Sequence, residues 1–142
     1  MRARAATFGE GLQLVNILKD SSSDLSEGRT YIPPGADRAE VIALARADLE
    51  SATEYTLALQ SARAPRGMVA FCALPVALAQ ATLDRLETSA PGAKISRPQV
   101  FRITRQVNRS VARGEPPLTL RSNNSPPSGR MRSMFSLIFG MR

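Results

Sequence analysis

The chain has 142 residues, a net charge of +7, a single cysteine and no histidine. One cysteine excludes a disulfide scaffold, and the absence of histidine removes the commonest metal ligand and general base, so any chemistry must use carboxylates, hydroxyls, arginines or a bound metal. Hydrophobic residues make up 43% of the chain but aromatics only 5%, which favours one domain of Ala- and Leu-rich helices. The basic segment 1–6 lacks the apolar stretch of a secretory signal, and we expect it to be frayed.

The first predicted helix runs to about Leu25 and carries a line of polar side chains through an apolar segment. The polar residues follow one another at steps of three, four and four, which places them on one helical face: Gln13, Asn16, Asp20 and Asp24. Unpaired buried carboxylates are costly, so one interpretation is a Mg²⁺ site built on two carboxylates one turn apart. The other interpretation is the solvated face of a surface helix.

Two long helices are predicted next. Asp37 and Glu40 form a capping-box pattern at the start of the second helix. Its apolar positions are expected to face inward, namely Val41, Leu44, Ala45, Leu49, Ala52, Tyr55, Leu57 and Leu59, and its charged positions outward, namely Arg46, Asp48, Glu50 and Glu54. The third helix spans about 66–87 and is apolar on nearly all sides, as is typical of a helix at the centre of a bundle. Pro75 should kink it, and Cys72 is expected to be an inert core thiol.

The apolar run 67–79 within the third helix is too short to span a membrane, which favours burial instead. A fourth helix is predicted to begin at Ser96, with Gln99 completing a capping box. We expect one set of its residues to face inward, namely Val100, Phe101, Ile103, Thr104 and Val107. We expect three arginines to form a solvated outer face, namely Arg102, Arg105 and Arg109.

The composition changes at Gly114. Residues 115–129 have the Pro, Ser and Asn content of a disordered linker, and residues 130–142 form a short apolar patch between arginines that could lie on an anionic membrane surface. We therefore divide the chain into a helical domain, 1–113, and a linker with a basic tail, 114–142. Residues 91–142 contain ten basic residues and one acidic residue, but no nucleic-acid recognition motif accompanies them, and nucleic acid is not an expected partner.

The polar line of the first helix is part of a longer string over residues 8–33, in which Gly28-Arg29, Tyr31 and Pro33 follow the two aspartates. This string resembles the second aspartate-rich motif of the squalene and phytoene synthase family. In that family the motif lies on a helix lining a central cavity, and its acidic residues bind Mg²⁺ ions that hold the diphosphate of a prenyl substrate. A looser resemblance continues to about Val107.

The resemblance implies an all-α fold, a helical bundle of the isoprenoid-synthase type. About four main helices, half of the full bundle, would be present here, followed by a disordered basic tail. It implies head-to-head condensation of two prenyl diphosphates, farnesyl or geranylgeranyl, as in hopanoid or carotenoid biosynthesis, with Mg²⁺ as cofactor. The implied catalytic residues are Asp20 and Asp24, which would bind the metal together with Asn16. The implied diphosphate and substrate contacts are Gln13, Asn16, Lys19, Arg29 and Tyr31. Lys19 is expected to be a weaker contact, since it lies about 100° off the polar line.

Members of this family also carry an earlier aspartate-rich motif on a facing helix, and no second D-x-x-x-D occurs in this sequence. We therefore expect the chain to be the C-terminal half of a synthase, an enzyme by family resemblance. One metal-binding wall cannot enclose a carbocation, which argues against activity of this chain by itself. The alternative is a non-catalytic half-bundle that docks with a separate N-terminal half or a full-length synthase. The expected protein partners are an N-terminal half or the other subunits of a homo- or hetero-oligomer. The expected location is the cytoplasm, either free or peripheral at the inner membrane surface.

Overall fold

The computed structural model of the chain describes residues 2–26, 37–89 and 93–121, together with Ser133. These ranges form four α-helices, which are α1 (Arg2–Ser26), α2 (Arg38–Ser61), α3 (Arg66–Thr88) and α4 (Arg97–Arg113). The described part of the chain contains no strand, so the predicted all-α fold is confirmed.

The ends of the helices follow local sequence signals. The Asp37 side chain accepts a hydrogen bond from the amide of Ala39 at 3.2 Å and caps α2. Ser96 and Gln99 form the predicted capping box at the start of α4. Gly114 closes α4 with a φ of 71°, the left-handed conformation that glycine adopts without strain. One expectation was wrong: α1 begins at Arg2, because the Ala- and Arg-rich segment before Thr7 has a high helix propensity.

The core consists of two clusters, and α3 contributes to both. The first joins α1, α2 and one end of α3 through Leu14, Val15, Leu18, Val41, Leu44, Ala45, Leu49, Ala79, Leu83 and Leu86. The second joins α2, the other end of α3, α4 and the segment after α4 through Ala52, Val69, Ala73, Val76, Val107, Val111 and Leu118. Within the described ranges, α3 is also the one helix long and apolar enough to cross a membrane by length and composition. Core helices of other proteins pass the same test, and α3 contributes to both core clusters here.

Two helices are less enclosed than their sequences predicted. Phe71 on α3 is 81% exposed and Met68 is 50% exposed, so α3 is not buried on all sides. Its inner side packs on α1, α2 and α4, and no other described element covers the outer side. Phe101 on α4 was expected to face inward but is 69% exposed. The inner stripe of α4 runs through Val107 and Val111. At 100° per residue Phe101 lies about 120° from Val107 and about 80° from Val111, on the flank of the helix rather than on its inner side.

Two charged residues of α2 are also placed differently from the prediction. Asp48 was expected on the outside but is 0% exposed, because it lies four residues from Leu44 and Ala52 on the inner stripe. Helix α1 crosses α2 at this point, where a Cβ added to Gly11 would stand 3.0 Å from the Asp48 Cβ. Arg46 was likewise expected outside, but its side chain is only 18% exposed and extends over α3.

The segment after α4 packs against the bundle. Pro117 and Leu118 are buried, and the Gln60 side-chain amide donates to the Glu115 carbonyl at 2.9 Å. The packed domain therefore extends to Arg121 rather than ending at residue 113. The predictions of a linker and a basic tail over residues 122–142 lie outside the described residues, apart from Ser133.

Candidate functional site

The described part of the polar line lies on the outward side of α1. Leu14, Val15 and Leu18 are buried in the first core cluster, whereas Asn16 and Asp20 are exposed and Gln13 is half-buried. The Asp20 side chain is 52% exposed, so its charge is solvated and needs no metal to compensate for burial. Of the two interpretations of the line, the structure shows the solvated face for these residues. The same geometry leaves their oxygens accessible to a ligand.

The Lys19 side chain reaches this face, although its position in the sequence predicts an angle of about 100° from the polar line. Its Nζ donates to Asn16 Oδ1 at 3.4 Å and lies 3.7 Å from Asp20 Oδ1. Residues three apart on a helix are neighbours, and the long flexible side chain covers the remaining angle. We refer to Gln13, Asn16, Lys19 and Asp20 as the α1 polar face.

The rest of the motif is only partly described. The backbone of α1 continues through Asp24, one turn beyond Asp20, but the Asp24 side chain lies outside the described residues. Arg29 and Tyr31 also lie outside them, as do Gly28 and Pro33. The roles assigned to these residues stay predictions.

The donor atoms of the α1 polar face suit a hard cation. Mg²⁺ prefers oxygen ligands and is usually held by one or two carboxylates, with waters and substrate phosphates in its other positions. Asp20 supplies a carboxylate and Asn16 an amide oxygen, four residues apart on the same side of the helix. No group of three or more His, Cys, Asp or Glu side chains comes together within the described ranges. Among the described residues, this face offers one carboxylate and one amide oxygen, and the Lys19 ammonium lies close to both.

A second polar group, which the sequence did not predict, joins α2, α3 and the segment after α4. Arg46 pairs with Asp84 at 2.6 Å and with Glu87, and Arg121 Nη1 pairs with Asp84 at 2.7 Å. The Arg121 amide donates to Glu50 Oε2 at 3.1 Å. Partial burial alone would raise the pKa of Asp84, but the hydrogen bonds from Arg121 and Arg46 outweigh it and hold the pKa below its ordinary value. We call these five residues the Asp84 network.

A cavity of about 210 Å³ adjoins the Asp84 network between α3, α4 and the segment after α4. Its polar lining includes Gln80, Asp84, Gln106 and Arg121. Gln80 links α3 to α2, because its side-chain amide donates to Thr53 Oγ1 at 3.1 Å. The contacts of Arg121 with Glu50 and Asp84 link the last packed segment to α2 and α3.

Cys72 is half-buried, and burial raises the pKa of its thiol. A raised pKa disfavours the reactive thiolate, but the side chain is half-buried rather than part of the core as expected. Cys72 takes no part in the candidate site.

The chain was compared with known protein families, with curated proteins and with solved structures, and none of the three comparisons found a match. The resemblance to squalene and phytoene synthases accordingly rests on the motif residues themselves.

Proposed function

We propose that the chain is the C-terminal portion of a squalene/phytoene synthase-like prenyltransferase, which condenses two prenyl diphosphates head to head with Mg²⁺. The observation that carries the proposal is the motif string of α1, whose described polar residues share one accessible face. Lys19 contacts both Asn16 and Asp20, so a cation, a carboxylate and an amide oxygen meet at one point. Such a set suits a metal-bound diphosphate.

The chemistry explains why these residue types are needed. Ionisation of an allylic diphosphate leaves several negative charges on the departing group, and metal ions and cationic side chains stabilise that charge. Asp20 and Asp24 would hold Mg²⁺ with Asn16, and Mg²⁺ supplies electrostatic stabilisation of the leaving group when bound. Lys19 donates to a phosphate oxygen, and Gln13 orients the diphosphate from the half-buried end of the face. Arg29 and Tyr31 are assigned phosphate neutralisation and substrate positioning by resemblance.

A second candidate function is a non-catalytic half-bundle that docks with a synthase partner. The exposed apolar side chains of α3 favour it, since Phe71 and Met68 are large and lie on a side that no other element of the described ranges covers. Docking of a second helical unit there would complete the burial of α3. This function needs no metal at α1.

The first function is tested by the binding of farnesyl thiodiphosphate, a slowly ionising substrate analogue, to the full chain by calorimetry with and without Mg²⁺. We expect Mg²⁺-dependent binding that weakens at least tenfold in Asp20→Asn, because one carboxylate ligand is lost. Asp37→Asn is the matched control, since it removes an exposed carboxylate elsewhere while asparagine still caps α2. Equal binding by both variants would contradict the assigned role of Asp20. The absence of Mg²⁺-dependent binding to the unmodified chain, with a stable complex formed on adding a synthase, would favour the docking function.

A further inference from the structure

The outer face of α4 is a continuous basic surface. Arg102, Arg105 and Arg109 are all exposed and follow one another at steps of three and four residues, so they form one line about 10 Å long at 1.5 Å per residue. Arg97 and Arg113, at the two ends of the helix, are exposed as well. The helix contains no acidic residue. We call the line of three the α4 arginine stripe.

No ion pair within the described ranges neutralises the positive charge of the stripe. The ion pairs found in the described ranges lie on α1 and in the Asp84 network, and none of them includes an α4 residue. The basic groups of α4 repel one another at these spacings, which costs free energy unless an anionic partner neutralises them. The stripe therefore has charge complementarity to a surface that carries many negative groups.

The stripe borders a wide, open groove. The groove has a volume of about 580 Å³ and is lined by Phe101, Arg102, Arg105, Gln106, Arg109, Ser110 and Glu115. Phe101 is 69% exposed and stands beside the guanidinium groups rather than in the core. A large apolar side chain set among cations on an exposed helix is the composition of helices that lie at lipid interfaces.

We propose that the outer face of α4 docks on an anionic phospholipid surface. The arginine stripe binds headgroup phosphates, and the Phe101 ring inserts at the boundary of the acyl chains. A lipid surface is favoured over single-stranded nucleic acid because single-strand binding needs several aromatic platforms, whereas Phe101 is the one exposed aromatic side chain that the described α4 face provides. This surface differs from the predicted membrane contact at residues 130–142, and the proposal does not depend on the prenyltransferase function.

The test is co-sedimentation of the full chain with vesicles of phosphatidylcholine alone or mixed with phosphatidylglycerol. We expect binding only to the anionic vesicles, weakening as salt shortens the range of the interaction. A triple Arg→Gln variant of the stripe should bind on the order of 100-fold more weakly, at about fivefold for each arginine near an anionic surface. A charge-matched control carries Arg→Gln at three exposed positions on other elements, Arg63, Arg66 and Arg85, and should retain most of the binding. Circular dichroism checks that both variants keep their helix content.

A second readout reports on the position of the ring. The chain has no tryptophan, so Phe101→Trp gives a single indole whose emission should shift to the blue on anionic vesicles and be quenched by brominated lipid. Equal loss of binding in the stripe and control variants would overturn the proposal, because net charge alone would then explain it. Loss confined to Arg130→Gln/Arg132→Gln would overturn it in favour of the tail. Stripe-dependent binding to duplex DNA without vesicle binding would overturn it in favour of nucleic acid.

Discussion

The crossing of α1 over α2 at Gly11 makes a sharp prediction about stability. A Cβ at Gly11 would stand 3.0 Å from the Asp48 Cβ and 3.2 Å from both the Asp48 carbonyl carbon and the Leu49 nitrogen. Carbon atoms pack best at about 3.5–4.0 Å, so Gly11→Ala places its methyl group about half an ångström too close. Two of these three atoms belong to the backbone of α2 and cannot move by a change of side-chain rotamer. Helix α1 must therefore shift away from the first core cluster.

The expected cost can be worked out against a control in the same helix. Overpacking of this kind costs about 1–3 kcal/mol, while replacing glycine by alanine inside a helix returns about 1 kcal/mol. Gly9 lies two residues earlier with nothing within 4 Å of its added Cβ, so Gly9→Ala gains the propensity alone. We therefore expect Gly9→Ala to stabilise the chain by up to about 1 kcal/mol, and Gly11→Ala to destabilise it by about 1 kcal/mol.

Urea unfolding followed by circular dichroism at constant pH measures both free energies of unfolding. The difference between the two variants should be about 2 kcal/mol and should grow for Gly11→Leu, which needs more room. Equal stabilisation by both alanines would refute the close crossing of α1 and α2 at Asp48.

Three further outcomes are expected. Leu118→Ala should lower the free energy of unfolding by about 2–5 kcal/mol in urea, because Leu118 is 5% exposed, whereas Leu120→Ala, at a position 50% exposed, should stay within about 0.5 kcal/mol. The pKa of Asp84 is lower in the folded chain than the ordinary value of 3.8, so its ionised form stabilises the fold fully above pH 3.8 and the contribution is lost as pH falls through the folded-state pKa. Asp84→Asn should therefore lose less thermal stability between about pH 5 and 2 than the unmodified chain. An identical loss in both would contradict the Asp84 network. Ser96→Ala should cost about 1 kcal/mol of unfolding free energy, and Ser96→Asp, which can still cap α4, should not.

The features that could be predicted from the sequence are those set by residues close together in the chain. The starts of α2 at Asp37 and of α4 at Ser96 come from caps whose partners lie within a few positions, so composition and spacing identify them. The glycine cap at Gly114, which ends α4, was not predicted. The outward arginines of α4 follow from helical periodicity in the same way. Local rules of this kind were sufficient for the all-α fold.

The failures involve residues whose environment is set by distant parts of the chain. Asp48 was placed outside because of its charge, but its position on the inner stripe and the glycine of another helix decide its burial. Arg121 pairs with Asp84, which lies 37 positions earlier in the chain, so no pattern of neighbouring residues could predict the pair. Helix α3 was expected to be buried at the centre of the bundle because it is apolar nearly all round. Phe71 is nevertheless exposed, since burial of that side requires an element that the described ranges do not contain.

Helix α1 packs into the core with one side and exposes its polar residues on the other, and this separation decides how its candidate site can be tested. Leu14, Val15 and Leu18 complete the first core cluster from one side of the helix, so the fold makes no demand on the exposed Asp20 carboxylate. Its contact with Lys19 is a surface ion pair, which contributes at most about 1 kcal/mol. Asp20→Asn should accordingly leave the unfolding midpoint almost unchanged, and a loss of diphosphate binding in that variant can be attributed to the site rather than to unfolding. A large drop in stability would instead mean that the α1 polar face is held by the rest of the protein, which would contradict the accessible site on which the proposed function rests.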